Sequence, residues 1–382
     1  MSNYDVLIVG GGPAGSSLAW KLRDSGLSVA ILDKAHFPRD KICAGWVTPA
    51  VLEELAIDPD AYGLDRTLQP ITGFRISQMG GREVETRYGD EVVSYGIRRC
   101  EFDDYLLQRS GAELLLGRKF KSMQKTDSGW RVNDEIETRL VVGAGGHFCP
   151  VARALGARPG SGEITVTAQE IEFEMTPPQL AECKAEGEIP ELYFTRDLVG
   201  YGWVFRKGNY LNIGLGREDS TRLSEHVEAF VRFLQEQGRI PARIPGKFQG
   251  HAYLLYPKAR RDLLQDQVLL IGDAAGLAYA NSGEGIRPAV ESGLYAGYTI
   301  AQANGDYRRE NLQAYVDLMT LRFGERQPGP DIFDRLPAGL KRLIARQLMQ
   351  NHWFTRNVVM DNWFLHNNVP PLGIEFRGQS VA

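Results

Sequence analysis

The sequence predicts an α/β fold: a Rossmann-like nucleotide-binding domain, an inserted antiparallel-sheet domain, and helices at the C-terminus. Three observations carry this. Asp5–Val9 is an apolar run that breaks at glycines, passes into helical spacing, and returns as a second apolar run, the βαβ order of a parallel sheet. Far downstream, Val268–Ile271 is another buried run that stops at Gly272-Asp273. Between them the pattern changes to period-two alternation with hairpin turns. At 382 residues the chain is long for one core. A nucleotide-binding domain assembled from 1–70, 95–155 and 255–330 is therefore expected to enclose a substrate domain of 71–94 and 156–254, followed by a helical region over 331–382.

The elements follow in order. Asp5–Val9 is the first strand, Ser16–Ser25 lies in the helix opened by the glycine turn, and Leu27–Leu32 is the second parallel strand, ending at Asp33. Phe102–Arg109 has helical spacing. Trp130–Val132 and Glu135–Thr138 flank Asn133-Asp134, a hairpin turn. Leu140–Val142 runs into Gly143-Ala144-Gly145-Gly146. Thr165–Phe173 alternates, and Gly202–Phe205 and Tyr210–Leu215 flank Lys207-Gly208-Asn209, so this stretch is antiparallel. Helical spacing returns at Leu223–Gln237, at 285–303 and at Asn311–Phe323.

The net charge of −4 gives no electrostatic basis for nucleic-acid binding. Cys43, Cys100, Cys149 and Cys183 are far apart and form no CxxC pair, so neither a disulfide framework nor a metal site is expected and a reducing cytoplasm fits. No basic leader precedes the first strand, and no apolar run reaches membrane-spanning length.

In Tyr4–Gly15, YDVLIVGGGPAG, Gly10 allows the tight turn, Gly12 lets the backbone approach a pyrophosphate, and Gly15 permits close helix–strand packing; Pro13 and Ala14 share that turn. The N–H groups and positive end of the helix face the phosphates. Asp33 lies 18 residues after Gly15, where a carboxylate accepts from an adenosine ribose, with Lys34 beside it. The bland reading, a glycine turn that binds nothing, is outweighed by strand, helix and acid all in place. Asp273 is either a ribityl-binding carboxylate or a helix N-cap. Gly283, Gly285 and Ile286 open a helix whose N-terminus suits the negative charge of a reduced flavin. Two such segments in one chain point to FAD, whose long body needs two contact regions.

On GGGPAGSSLAWKL, FPRDKICAG (37–45), RCEFD (99–103), VGAGGHFCPVAR (142–153), YGWVFRKGNYLNIGLG (201–216) and GDAAG…GEGI, the chain resembles flavoproteins of the p-hydroxybenzoate hydroxylase fold, and within them the geranylgeranyl reductase family. The resemblance runs from the N-terminus to about residue 300. It implies that Arg39, Lys41, Cys43 and Ala44 sit on a loop beside the flavin, that Arg99 contacts the FAD phosphate or ribityl region, and that Gly145 and Asp273 border the cofactor. It also implies that Tyr201, Trp203, Phe205 and Arg206 line the substrate cavity. Three positions depart from the family: Ala44 in its CGG, and Arg206 and Ala280 where it has proline.

Cys43 has two readings, a redox or proton-donating thiol and a small packed side chain. Tyr201, Trp203 and Phe205 alternate onto one face of a strand, as core or as cavity wall. The stretch Leu336–Leu365, with Lys341, Arg342 and Arg346 beside Leu343, Ile344 and Leu348, then Trp353, Phe354, Trp363 and Phe364, is a cap over the substrate domain or a peripheral membrane helix. The expected activity is FAD-dependent reduction of C=C bonds in an isoprenoid-like or other small apolar substrate. NAD(P)H or a reduced protein partner is the expected transient electron donor, since there is no second GxGxxG domain. The alternatives are a monooxygenase of the same fold and an FAD-binding protein without turnover.

Overall fold

The computed structural model describes residues 2–158, 163, 165–219, 221–326 and 338–372. Strand β1 (Ser2–Val9) lies between β2 (Val29–Leu32) and Ile136–Gly143, parallel to both. Val268–Leu270 pairs in parallel with Ile136–Gly143, so the two apolar runs that stop at glycine belong to one sheet, one strand apart. Val6, Leu7 and Ile8 are fully buried, because helices and strands cover both faces of a parallel sheet and leave no polar side.

Helix α1 (Pro13–Leu22) packs on the Ile286–Gln302 helix. A Cβ at Gly293 would strike the Ala14 carbonyl, and one at Gly297 would come within 2.7 Å of Lys21. The two helices thus meet backbone to backbone, which brings both glycine segments of the sequence to the same end of the sheet.

The second sheet has seven strands in the order Gln249–Leu254, Thr165–Glu174, Tyr210–Arg217, Gly200–Lys207, Glu191–Phe194, Gly73–Gln78 and Val84–Arg87. Its pairs are antiparallel except Glu191–Phe194 with Gly73–Gln78. Alternation divides it cleanly. Ile171, Phe173, Val204, Leu211 and Ile213 pack on Val227, Phe230 and Leu234 of the Leu223–Glu236 helix. Ala168, Trp203 and Phe205 face the other way, toward Trp46 and Phe364. Both expected turns form: Asn133 and Asp134 have φ of 53° and 60°, and Gly208 has φ of 58°.

Gly214 lies under the Trp203 ring, and a Cβ there would strike it. Gly214→Ala is therefore expected to destabilise the protein by about 1–3 kcal/mol, because a packed indole has nowhere to move. The urea midpoint measures this.

Three features depart from the sequence expectations. A three-stranded sheet of Trp46–Val47, Ser94–Ile97 and Leu68–Ile71 was not foreseen, since strands this short carry little periodicity. The helix expected over Phe102–Arg109 begins at Arg99 and ends at Gln108. The chain over Thr355–Phe364 is π-wound and buries Val359, Met360 and Phe364. Leu336 and the side chains of Lys341, Arg342 and Leu343 lie outside the described residues.

Candidate active site

The turn after β1 builds one end of the site. Gly10 has φ of 119°, and a Cβ there would strike the Ala144 carbonyl and come within 2.8 Å of the Gly145 nitrogen. At Gly12 the situation is reversed: a Cβ would meet Arg39 Nη2 at 3.6 Å and nothing closer. The backbone there borders open space rather than protein. Gly12 is also the N-cap of α1 and offers no side chain to its first-turn N–H groups, while Pro13 and Ala14 are buried in that turn. Asp33 closes β2 with Oδ2 accepting from Gly11 N at 2.8 Å and Oδ1 from Ala35 N at 2.9 Å. Lys34 is exposed beyond it.

A cationic group adjoins this turn. Arg99, at the start of its helix, donates Nε and Nη2 to the two oxygens of the fully buried Asp103 at 2.8 and 2.9 Å. Arg39 reaches the same carboxylate at 3.3 Å and lies over the Phe37 ring. Burial and then the Arg99 charge lower the Lys41 pKa, with Asp273 acting against them. Asp273 is itself pushed up by burial, which Lys41, Arg99 and Arg261 oppose.

Asp273 faces the second helix N-terminus. A Cβ on Gly285, the uncapped N-cap of the Ile286–Gln302 helix, would sit 3.1 Å from Asp273 Oδ1. Gly283 has φ of 68°, so the approach to that helix requires a glycine. Two buried imidazoles flank the same region with unpartnered Nδ1 atoms. Burial, then Arg261, lowers His147 to about 4; burial, then Lys41 and Arg99, lowers His251 to about 3. Both rings are neutral at neutral pH. An open backbone cradle at Gly12, two helix N-termini with glycine N-caps, a carboxyl at each end and orphaned polar atoms between them fit FAD.

An apolar cavity adjoins the Gly283–Ile286 end. Tyr201, Trp203 and Phe205 form one wall and Cys43 and Ala44 another, with Tyr253 and Phe364 completing it. Trp203 Nε1 donates to Asn212 Oδ1 at 2.8 Å, and the Tyr201 hydroxyl donates to the Ser282 carbonyl. Arg206, expected among the lining residues, is not there. Strand alternation turns it to the opposite face, where its guanidinium donates to the Gly208 carbonyl at 3.0 Å and the Ala185 carbonyl at 3.4 Å. Its buried neighbour Lys207 is paired with Glu172 at 2.7 Å.

Cys43 is held on several sides. Its N–H donates to Glu170, and its carbonyl accepts from Asn212 Nδ2 at 3.2 Å. Its Sγ accepts from Gly45 N at 3.4 Å, and the Arg99 guanidinium lies against the thiol. The C-terminal segment closes the cavity: Phe364 stacks on Trp46 at 5.5 Å and stands edge-on to Tyr201 at 5.4 Å. Asp103, Glu170 and Asn212 were not picked out from the sequence, and Phe364 was named there only within the amphipathic C-terminal stretch. Asp103 was findable, one helical turn after Arg99; the others depend on long-range pairing.

Comparison with known proteins supports the fold and the cofactor class. Residues 8–39 match the NAD(P)-binding Rossmann-like domain family. Digeranylgeranylglycerophospholipid reductase 3 of Methanosphaera stadtmanae is 30% identical over 352 residues, 85% of each chain. Geranylgeranyl diphosphate reductase of Rhodobacter capsulatus is 31% identical, covering 77% of this chain and 74% of its own. Menaquinone reductase of Mycobacterium tuberculosis is also 31% identical, covering 76% and 75%. A solved geranylgeranyl bacteriochlorophyll reductase-like protein of Thermoplasma acidophilum shares the fold with a TM-score of 0.73, 21% identity and coverage of 97% and 91%. The FAD-bound halogenase PltM shares it with a TM-score of 0.67, 16% identity and coverage of 92% and 78%. The chain belongs to the geranylgeranyl reductase family of FAD-dependent oxidoreductases.

Proposed function

We propose that the protein reduces carbon–carbon double bonds of an isoprenoid-like or other apolar substrate. The observation that carries this reading is the aromatic cavity of Tyr201, Trp203, Phe205 and Phe364, set directly against the helix N-terminus at Gly285. Relatives named for geranylgeranyl lipids support the substrate class. Bound FAD supplies the hydride.

The chain's own residues do the rest. Gly10, Gly12, Pro13, Ala14 and Gly15 would hold the pyrophosphate on α1, and Asp33, with Lys34 nearby, the adenosine ribose. Arg39, Lys41 and Arg99 would supply positive charge along the cofactor, Gly145 would back the glycine turn, and Asp273 would accept from the ribityl chain. Gly285 and Ile286 would present N–H groups where negative charge develops on reduction, and Gly283, whose own N–H donates to the Tyr279 carbonyl at 2.9 Å, would turn the chain into that helix. The cavity walls exclude water, and Cys43 with Ala44 would border the reacting alkene.

NAD(P)H or a reduced protein would dock transiently as electron donor. Among the described residues no helix is long and apolar enough to cross a membrane. Trp353, 66% exposed, offers an apolar contact for a lipid surface that delivers substrate. If Trp353→Ala leaves liposome co-sedimentation unchanged, that contact is ruled out.

Anaerobic incubation of the dithionite-reduced protein with a geranylgeranyl lipid tests the reading. The expected product is two mass units heavier for each double bond reduced. Product that forms only after oxygen is admitted would mean a monooxygenase instead, and no product under either condition an FAD-binding protein without turnover. Normal turnover in both Cys43→Ala and Cys43→Ser would remove the thiol from the chemistry.

A further inference from the structure

Reducing an alkene adds a hydride to one carbon and a proton to the other, so the site needs an acid as well as a reductant. The tyrosines and the imidazole at the cavity supply one poorly, and the acid that lines it, Glu284, is engaged at both oxygens, Oε1 accepting from the Arg287 N–H at 2.9 Å and Oε2 lying 3.8 Å from His366 Nε2. The Tyr201 proton is committed to the Ser282 carbonyl, and burial raises both Tyr201 and Tyr253 far above neutrality. His251 is neutral and has no proton to spare beyond its single N–H.

Directly behind Cys43 lies a different kind of group. Glu170 sits in the Thr165–Glu174 strand, two residues beyond Ala168, which lines the cavity; the side chains share that face. It is 5% exposed. One carboxyl oxygen accepts the Cys43 N–H, and the other is buried without a hydrogen-bond partner. A buried acid satisfied on one side only, and fixed to the loop that borders the alkene, is out of place as a packing residue.

We propose that Glu170 is the proton reservoir of the reaction, replacing through Cys43 the proton consumed at the alkene. The step balances as follows. With bound FAD supplying a hydride to one alkene carbon, the π pair would take the Cys43 thiol proton at the other. In the same step Glu170 O–H passes its proton to the sulfur and becomes a carboxylate, so flavin oxidation depends on the acid form, and solvent restores the acid between turnovers. Glu170 touches the loop rather than the reacting carbons, so it is a positioning and proton-supplying residue. Its surroundings keep the acid form available. Burial raises it to about 7; the Cys43 N–H, Lys207 and Arg99 lower it, and Glu172 raises it. Asn212, which holds the Cys43 carbonyl, is neutral.

The inference rests on the alkene-reductase reading, and one set of measurements on the FAD-loaded protein separates the two. Wild type, Glu170→Gln, Glu170→Asp and Glu284→Gln are reduced anaerobically and mixed with a geranylgeranyl lipid, and flavin oxidation is followed from pH 5 to 9. Glu284→Gln is included because Glu284 also lines the cavity and is raised to about 7. Wild type should slow as pH rises past about 7. Glu170→Gln should fall roughly 100-fold and lose that limb while retaining FAD and lipid binding, and Glu170→Asp should recover part of both.

A second readout does not depend on turnover. Because the folded value lies above the ordinary 4.5, the stability that the Glu170 acid contributes is present below pH 4.5 and lost as pH rises to about 7. The urea midpoint of Glu170→Gln should therefore climb relative to wild type across that window. If wild type is never oxidised by the lipid, the alkene-reductase reading fails. If wild type is oxidised but Glu170→Gln matches it in rate and pH limb, or if Glu284→Gln alone removes the limb, the reservoir proposal is overturned.

Discussion

Gly12→Val is expected to weaken FAD binding by roughly 100-fold, about 2.8 kcal/mol, while the apoprotein loses only about 1 kcal/mol of unfolding free energy, the cost of a poorer N-cap. Both halves follow from the same geometry. A Cβ at Gly12 meets no protein atom closer than Arg39 Nη2 at 3.6 Å, so a side chain there starts into open space in the empty fold. That open space is what a pyrophosphate on the α1 N-terminus would occupy, so the ligand does not tolerate it. Gly10 provides the contrast. A Cβ there strikes the Ala144 carbonyl at φ of 119°, and Gly10→Val should damage fold and cofactor binding together. Isothermal titration with FAD, beside urea unfolding of the apoprotein, separates the two positions.

Arg99→Ala is the second large effect, expected to destabilise the protein by about 3 kcal/mol, the lower end of the range for breaking a buried pair. Asp103 is fully buried and takes both of its short contacts from Arg99. Arg39 remains at 3.3 Å, which holds the cost to that lower end. Arg99→Lys keeps the charge but not the two-pronged geometry and should recover only part of the loss. The double variant Arg99→Met/Asp103→Leu removes both charges and should refold, yet retain less FAD than wild type because Arg99 no longer contributes to the positive charge beside the cofactor. Urea midpoints with flavin absorbance after gel filtration check all three.

The parallel sheet was legible because its strands are apolar on both faces and end at glycines, signals that need no knowledge of distant partners. The hairpins at Asn133-Asp134 and Gly208 were legible for a similar reason: a two-residue turn demands particular residues. The cavity was legible only in part. The alternation of Tyr201, Trp203 and Phe205 gave one wall, and that same period-two rule excludes Arg206, which family position alone had placed beside them. Glu170 and Asn212 were invisible because their importance lies in the register that sets two strands over the Cys43 loop. Phe364 was legible only as part of the amphipathic cap, because the irregular turn of the π-wound chain masks which face meets the cavity.

The central claim is that an apolar alkene accepts the electrons of the reduced flavin without oxygen. The measurement that tests it most directly is the absorbance of the anaerobically reduced protein during a single mixing with a geranylgeranyl lipid. Return of the oxidised-flavin spectrum, matched by one reduced double bond per flavin, is the predicted result. A spectrum that stays reduced with the lipid and returns only when oxygen enters, yielding an oxygenated product, would contradict it.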